Sequence, residues 1–198
     1  MMCRLAIAVL LLFAPIASAA SGYFTMTCDA GQVSEATDYA SLELSKAPAG
    51  FWTALAAASD TDGHTVRVYK SDHTTPVAFY IVNIDTTGHT GRILTAKGEM
   101  NTVTNGVWII EGGNSALSAA SDSAAVFSGT SVLAFWSLTG SDALVNLVNP
   151  GTYNLTATGS PTTGGTGPVE GLECYTFNGS SQYLSGTNPK TGLPITLS

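Results

Sequence analysis

At 198 residues the chain is long enough to bury one substantial core or two small ones. Only 11% of its residues are charged, 44% are hydrophobic and the formal net charge is -7. A phosphate backbone is bound by clusters of Lys and Arg, so this balance excludes nucleic acid as a partner. The polar surface must come from Ser, Thr, Asn and Gly, as in many extracellular sheet proteins.

Arg4, the apolar run Leu5 to Ile16 and the small-x-small triplet Ala17-Ser18-Ala19 have the layout of a secretory leader. The run is shorter than the roughly 20 apolar residues a spanning helix needs, and no later segment comes closer. Residues 1–19 are therefore expected to be a signal peptide cleaved after Ala19 or Ala20; the competing reading is a buried N-terminal strand or helix that is never cleaved. Losing Arg4 would take the charge to -8. The expected destination is secreted or extracellular, with the periplasm or a virion surface as alternatives. Cys28 and Cys174 remain in the first and last strand regions, where an oxidising compartment permits pairing. Two buried thiols are the competing reading, and only the Cα positions decide between them.

From Ser21 onward, short alternating or β-branched runs dominate. Strands are predicted over Tyr23–Cys28, Ser41–Leu44, Thr65–Tyr69, Val77–Ile84, Gly91–Ala96 and Gly106–Ile110. The turn Asp60-Thr61-Asp62-Gly63 precedes the third of them. One short helix is predicted over Phe51–Ala58. The small, polar stretch EGGNSALSAASDS from Glu111 to Ser123 reads as a boundary. Beyond it, Ser131–Leu138, Gly151–Thr158, Cys174–Phe177 and Gln182–Leu184 are strand candidates. The last two flank Asn178-Gly179, a tight-hairpin signal. The segment from Gly159 to Gly167 reads as a loop, and the chain after Ser185 as a loose or edge-packed tail. The expected fold is all-β, an antiparallel jelly-roll-like β-sandwich with at most one short helix near 50–58.

The stretch from Asp38 to Ile93 resembles the DUF2341 family, a β-sandwich domain of bacterial secreted and phage-associated proteins. The resemblance lies in the Phe51-Trp52 pair, Asp62-Gly63, a strand with Arg67, Thr75-Pro76, an aromatic strand with Phe79 and Tyr80, and Gly112-Gly113-Asn114. Phe135-Trp136-Ser137-Leu138 and the phrase from Tyr175 to Leu184 resemble a concanavalin A-like, laminin-G-like sandwich that often follows in that family. These resemblances imply a first domain over 21–114, a linker over 115–130 and a partial second segment over 131–198. They imply binding and no shared catalytic set.

Residue chemistry points the same way. His64, His73 and His89 each lie in or beside a polar turn, without the close spacing that places two imidazoles on one face for zinc. No Gly-x-Ser-x-Gly elbow is present. Glu43, Asp85, Glu99 and Glu111 have no partner that sequence would assign for acid-base work. Asp60, Asp62 and Asp72 are candidate calcium ligands from two adjacent loops. Tyr183 with Asn178 and Gln182 is a candidate sugar platform, while Trp52, Trp108 and Trp136 read as core. The expected function is a non-catalytic exported or particle-surface module contacting a protein partner or the cell envelope. The alternative is a carbohydrate-binding module whose partner is a surface glycan, and a glycosidase is disfavoured.

Overall fold

The computed structural model describes residues 4–5, 22–28, 39–96, 105–128, 130, 132–138, 142–166 and 173–197. The chain divides into two compact units, Met1–Val126 and Phe127–Ser198.

In the first unit, β1 (Arg4–Leu5), β2 (Gly22–Cys28), β4 (Arg67–Tyr69) and β7 (Gly106–Gly112) form one sheet in the order β1-β2-β7-β4. A second sheet, β3-β6-β5, holds β3 (Tyr39–Glu43), β5 (Phe79–Asp85) and β6 (Thr90–Ala96). All these pairings are antiparallel. Strand β2 alternates cleanly, burying Phe24, Met26 and Cys28, and β7 opposite buries Trp108 and Ile110. Leu42 of β3, Phe79 of β5 and Ile93 of β6 enter the same core from the second sheet.

Helix α1 (Ala49–Ala57) completes that core. It is nine residues long, too short to persist alone in water, so burial of Phe51, Trp52, Ala54 and Leu55 holds it. Phe51 meets Phe24 and Trp52 edge-on, with ring centroids 5.1 and 5.2 Å apart. At its end, Ser59 takes a left-handed conformation (φ 55°). The Ser59 N–H donates to the Ala56 carbonyl and the Asp60 N–H to the Leu55 carbonyl, a Schellman closure that turns the chain inward at Asp60.

Part of the expected linker is stitched to this unit. Ile81 N–H donates to Ser121 Oγ, Asp122 N–H donates to the Phe79 carbonyl, and Arg67 donates to the Ser118 carbonyl. The free edge of β5 is thereby covered. Helix α2 (Ser123–Phe127) follows.

The second unit contains β8 (Thr156–Thr158), β11 (Tyr183–Thr187) and β12 (Pro194–Leu197), a sheet ordered β12-β11-β8. A two-stranded sheet pairs β9 (Thr162–Thr166) with β10 (Glu173–Thr176). Its buried residues are few, chiefly Phe127, Asn146, Leu147, Leu155 and Leu184.

The expected jelly-roll-like β-sandwich is corrected by this arrangement. Among the described residues the strands fall into four separate antiparallel sheets accompanied by two α-helices, a mixed α/β fold. The descriptor β-sandwich falls with it. Hydrophobic alternation locates a strand but does not encode its partner. Three local expectations fail for that reason. Residues 132–138 form no strand, because the Phe135 N–H and carbonyl are taken by Asn146 Oδ1 and the Leu147 N–H. No hairpin joins β10 to β11, which pair with β9 and with β8 and β12. Thr162–Thr166, read as loop, is a strand; Pro194–Leu197 packs as the edge strand of its sheet, the edge-packed form expected of the tail.

Candidate functional site

The Schellman end of α1 delivers the Asp60 side chain into the protein at 1% exposure. Its Oδ1 accepts the Gly63 N–H at 2.7 Å and the His64 N–H at 3.0 Å. Its Oδ2 accepts the Thr65 N–H at 2.8 Å and the Thr65 hydroxyl. A buried carboxylate without donors would be costly, and here four donors satisfy it. Thr65 Oγ1 then accepts the Gly113 N–H at 2.8 Å, fixing the loop to the end of β7.

On the solvent side of this loop, His64 Nδ1 lies 3.0 Å from Asp60 Oδ1 and 2.8 Å from Asp62 Oδ1. The ligand atoms of Asp60, Asp62 and His64 all fall within 4.8 Å of one another, so the cluster can chelate a divalent cation. The Asp62 hydrogen bond raises the His64 pKa above its ordinary value. The same bond lowers the Asp62 pKa. A tetrahedral ion with bonds of about 2.1 Å would hold its ligands about 3.4 Å apart. The imidazole and carboxylates must therefore spread by a few tenths of an ångström to accept it, and Asp62, exposed at the rim, is free to do so.

These geometries give opposite pH signatures. His64 has a raised folded pKa, so its contribution to stability is complete below its ordinary value of about 6.5 and is lost as pH rises through the folded value. Asp62 has a depressed folded pKa, so its contribution is present above about 3.9 and is lost as pH falls through its folded value. Metal binding needs the neutral imidazole and therefore weakens as pH falls. Co²⁺ titrated calorimetrically into the protein is expected to bind about tenfold more weakly per pH unit below the His64 pKa. His64→Ala should abolish binding; equal affinity at pH 5.5 and pH 8 would contradict the site.

Asp72, the third expected metal ligand, is not in this cluster. It caps its own turn, accepting the Thr74 N–H at 2.9 Å, the Thr75 N–H at 2.8 Å and the Thr75 hydroxyl. The Thr75 hydroxyl leads the causes that hold its pKa well below the carboxylate range. His64, read from sequence as a turn histidine, takes its place; the Asp-x-Asp-x-His spacing over 60–64 was the available signal.

His73 Nε2 lies 3.2 Å from Glu111 Oε2, and its ring packs between Tyr23 and Tyr69. His89 stacks on Trp52 with 12° between the ring planes. Glu43 pairs with Arg92 at 2.8 Å, and Asp85 caps the Thr87 and Gly88 N–H groups. Glu99 lies outside the described residues, as do Ala17 to Ala20. The Cys28–Cys174 disulfide is corrected: Cys28 is disulfide-bonded, whereas Cys174 is not part of a disulfide. The two cysteines lie in separate compact units, as the sequence division at 115–130 placed them.

Trp52 and Trp108 are buried, at 2% and 1% exposure, and Trp136 is half-buried. Tyr183 is half-buried on β11 opposite Thr158. The amides beside it hold the turn. Asn178 Oδ1 accepts the N–H groups of Ser180, Ser181 and Gln182, and its Nδ2 donates to Ser181 Oγ. Gln182 Oε1 accepts the Asn178 N–H and its Nε2 donates to the Ser160 carbonyl.

Among the described residues no helix is long and apolar enough to cross a membrane. Neither a family model, nor a curated protein, nor a solved structure matches the chain. The DUF2341, concanavalin A-like and phage-associated descriptors accordingly gain no support.

Proposed function

We infer that this protein is exported and works without catalysis, by contact of its second unit with a protein partner. One observation carries the reading. The large apolar side chains exposed among the described residues are Leu133, Tyr153, Leu193 and Leu197, and all belong to the second unit. The first unit encloses comparable side chains in a core of two sheets and a helix. A partner that covered these side chains would remove apolar surface from water, and within the second unit Leu193 and Leu197 lie four residues apart at one sheet edge. Leu193 and Leu197 bracket the edge strand β12, where an incoming strand would find main-chain groups as well.

The Asp60-Asp62-His64 cluster lies in the first unit and is read as structural. Its imidazole nitrogen suits Zn²⁺, Co²⁺ or Mn²⁺ better than calcium, which prefers oxygen ligands throughout. An ion there would pin the loop between α1 and β4.

A photo-crosslinking amino acid placed at Leu193 or Leu197 tests the contact in cells that produce the protein. One discrete crosslinked protein is expected from both positions and none from a control at the exposed α1 residue Thr53. Indistinguishable products from all three positions would refute the reading.

A further inference from the structure

We propose that the turn carrying Tyr153 is a binding platform for a neutral polysaccharide. This rests on the contact reading given above and adds a ligand class to the same unit. Tyr153 is 40% exposed and has φ 59°, a left-handed conformation that bulky side chains adopt rarely and at a cost. Leu138 shares that conformation, but its side chain is half-buried. At Tyr153 the strain presents a ring to solvent.

The neighbouring residues over-determine this geometry. The Trp136 indole N–H donates to the Tyr153 carbonyl at 3.1 Å. Asn146 is fully buried, and its Nδ2 donates to the Thr152 carbonyl at 3.0 Å. Its backbone N–H donates to Asn154 Oδ1 at 2.9 Å, while its Oδ1 accepts from Phe135 and Val148. The Leu155 N–H closes the base of the loop on the Leu144 carbonyl at 2.8 Å. Residues 152, 153 and 154 are thus each held by a separate bond, and the backbone that carries the ring is fixed before any ligand arrives. Such preorganisation lowers the ordering cost of binding.

Ring and surroundings together select the ligand. An exposed aromatic side chain can cover the C–H face of a pyranose, and the exposed polar residues Thr152 and Asn154 adjoin Tyr153 in the turn, where Asn154 Oδ1 accepts the Asn146 N–H and leaves its Nδ2 for a sugar hydroxyl. Between Phe127 and Thr166 the only charged residue is Asp142. No cation is present there to pair with a uronate or sulfate, and the chain's net charge of -7 opposes acidic glycans. A neutral sugar chain remains.

Affinity electrophoresis of the purified protein through gels containing starch, xylan, galactomannan or mixed-linkage β-glucan provides the test. At least one polysaccharide is expected to retard the protein. Tyr153→Gly should weaken that retardation at least tenfold while leaving the melting temperature unchanged or raised, because glycine relieves the left-handed strain. Tyr153→Phe should retain binding. No retardation in any gel, or full retardation of Tyr153→Gly, overturns the proposal. Loss of folding in Tyr153→Gly also overturns it, since the ring would then be structural. Crosslinking from Leu193 and Leu197 is read independently, so the platform can fail while the contact reading stands.

Discussion

Replacing Asp60 by Ala is expected to destabilise the first unit by roughly 3–5 kcal/mol, a large part of the 5–15 kcal/mol that holds a typical domain folded. Three N–H groups and a hydroxyl that converge on the carboxylate would lose their acceptor together at a site where water is scarce. Asp60→Asn should cost less, because one oxygen survives as acceptor for Gly63 and His64. Urea unfolding followed by Trp fluorescence gives both values. An Asp60→Ala midpoint within error of the parent would show that the loop is not organised by this side chain.

The second large effect is expected at Gly113, where Ala should cost roughly 3–5 kcal/mol from combined overpacking and left-handed strain. Its φ of 96° favours glycine, and an added Cβ would lie 2.6 Å from Ala54 Cβ and 2.7 Å from the Ala54 carbonyl oxygen. Neither neighbour can swing aside, so α1 would have to lift from the end of β7. Thermal unfolding of Gly113→Ala measures this directly, and a melting temperature equal to the parent's would contradict the tight seat of α1. Gly113 donates to the same Thr65 hydroxyl that donates to Asp60. The Asp60 and Gly113 substitutions share this partner, and their combined cost should fall short of the sum.

Local signals in the sequence were legible where one residue pattern decides the outcome. The alternation in GYFTMTC marks β2, and the apolar AGFWTALAA marks α1, both within two residues of their bounds. Pairing was not legible. Residues Phe135 to Leu138 have a strand-like composition, yet their main-chain partners lie in the loop around Asn146, a choice set by one buried amide. Thr162–Thr166 mixes strand-favouring Thr with strand-disfavouring Gly, so its propensity is divided, and it becomes a strand because β10 supplies its hydrogen bonds.

Site legibility followed the same division. Asp60 and Asp62 were readable as a polar turn, since Asp and Gly at short spacing suit one. That His64 would complete their cluster and Asp72 would not depends on how two turns fold. Asp72 spends its carboxylate on Thr74 and Thr75 two and three residues onward. Tyr153 carried no sequence mark, because its exposure and backbone strain arise only when Asn146 and Trp136 close the loop around it.

Contact through the second unit depends on Leu193 and Leu197, and the double variant Leu193→Ser with Leu197→Ser removes both. The measured quantity is the fraction of the protein that co-sediments, without crosslinking, with the partner that the crosslinks at Leu193 and Leu197 identify. Retention should drop by at least about tenfold, since removing two well-covered leucines forfeits roughly 1.5–3 kcal/mol apiece. The melting temperature should stay within a few degrees, because both side chains face solvent in the free protein. Undiminished retention of the folded double variant would contradict the claim.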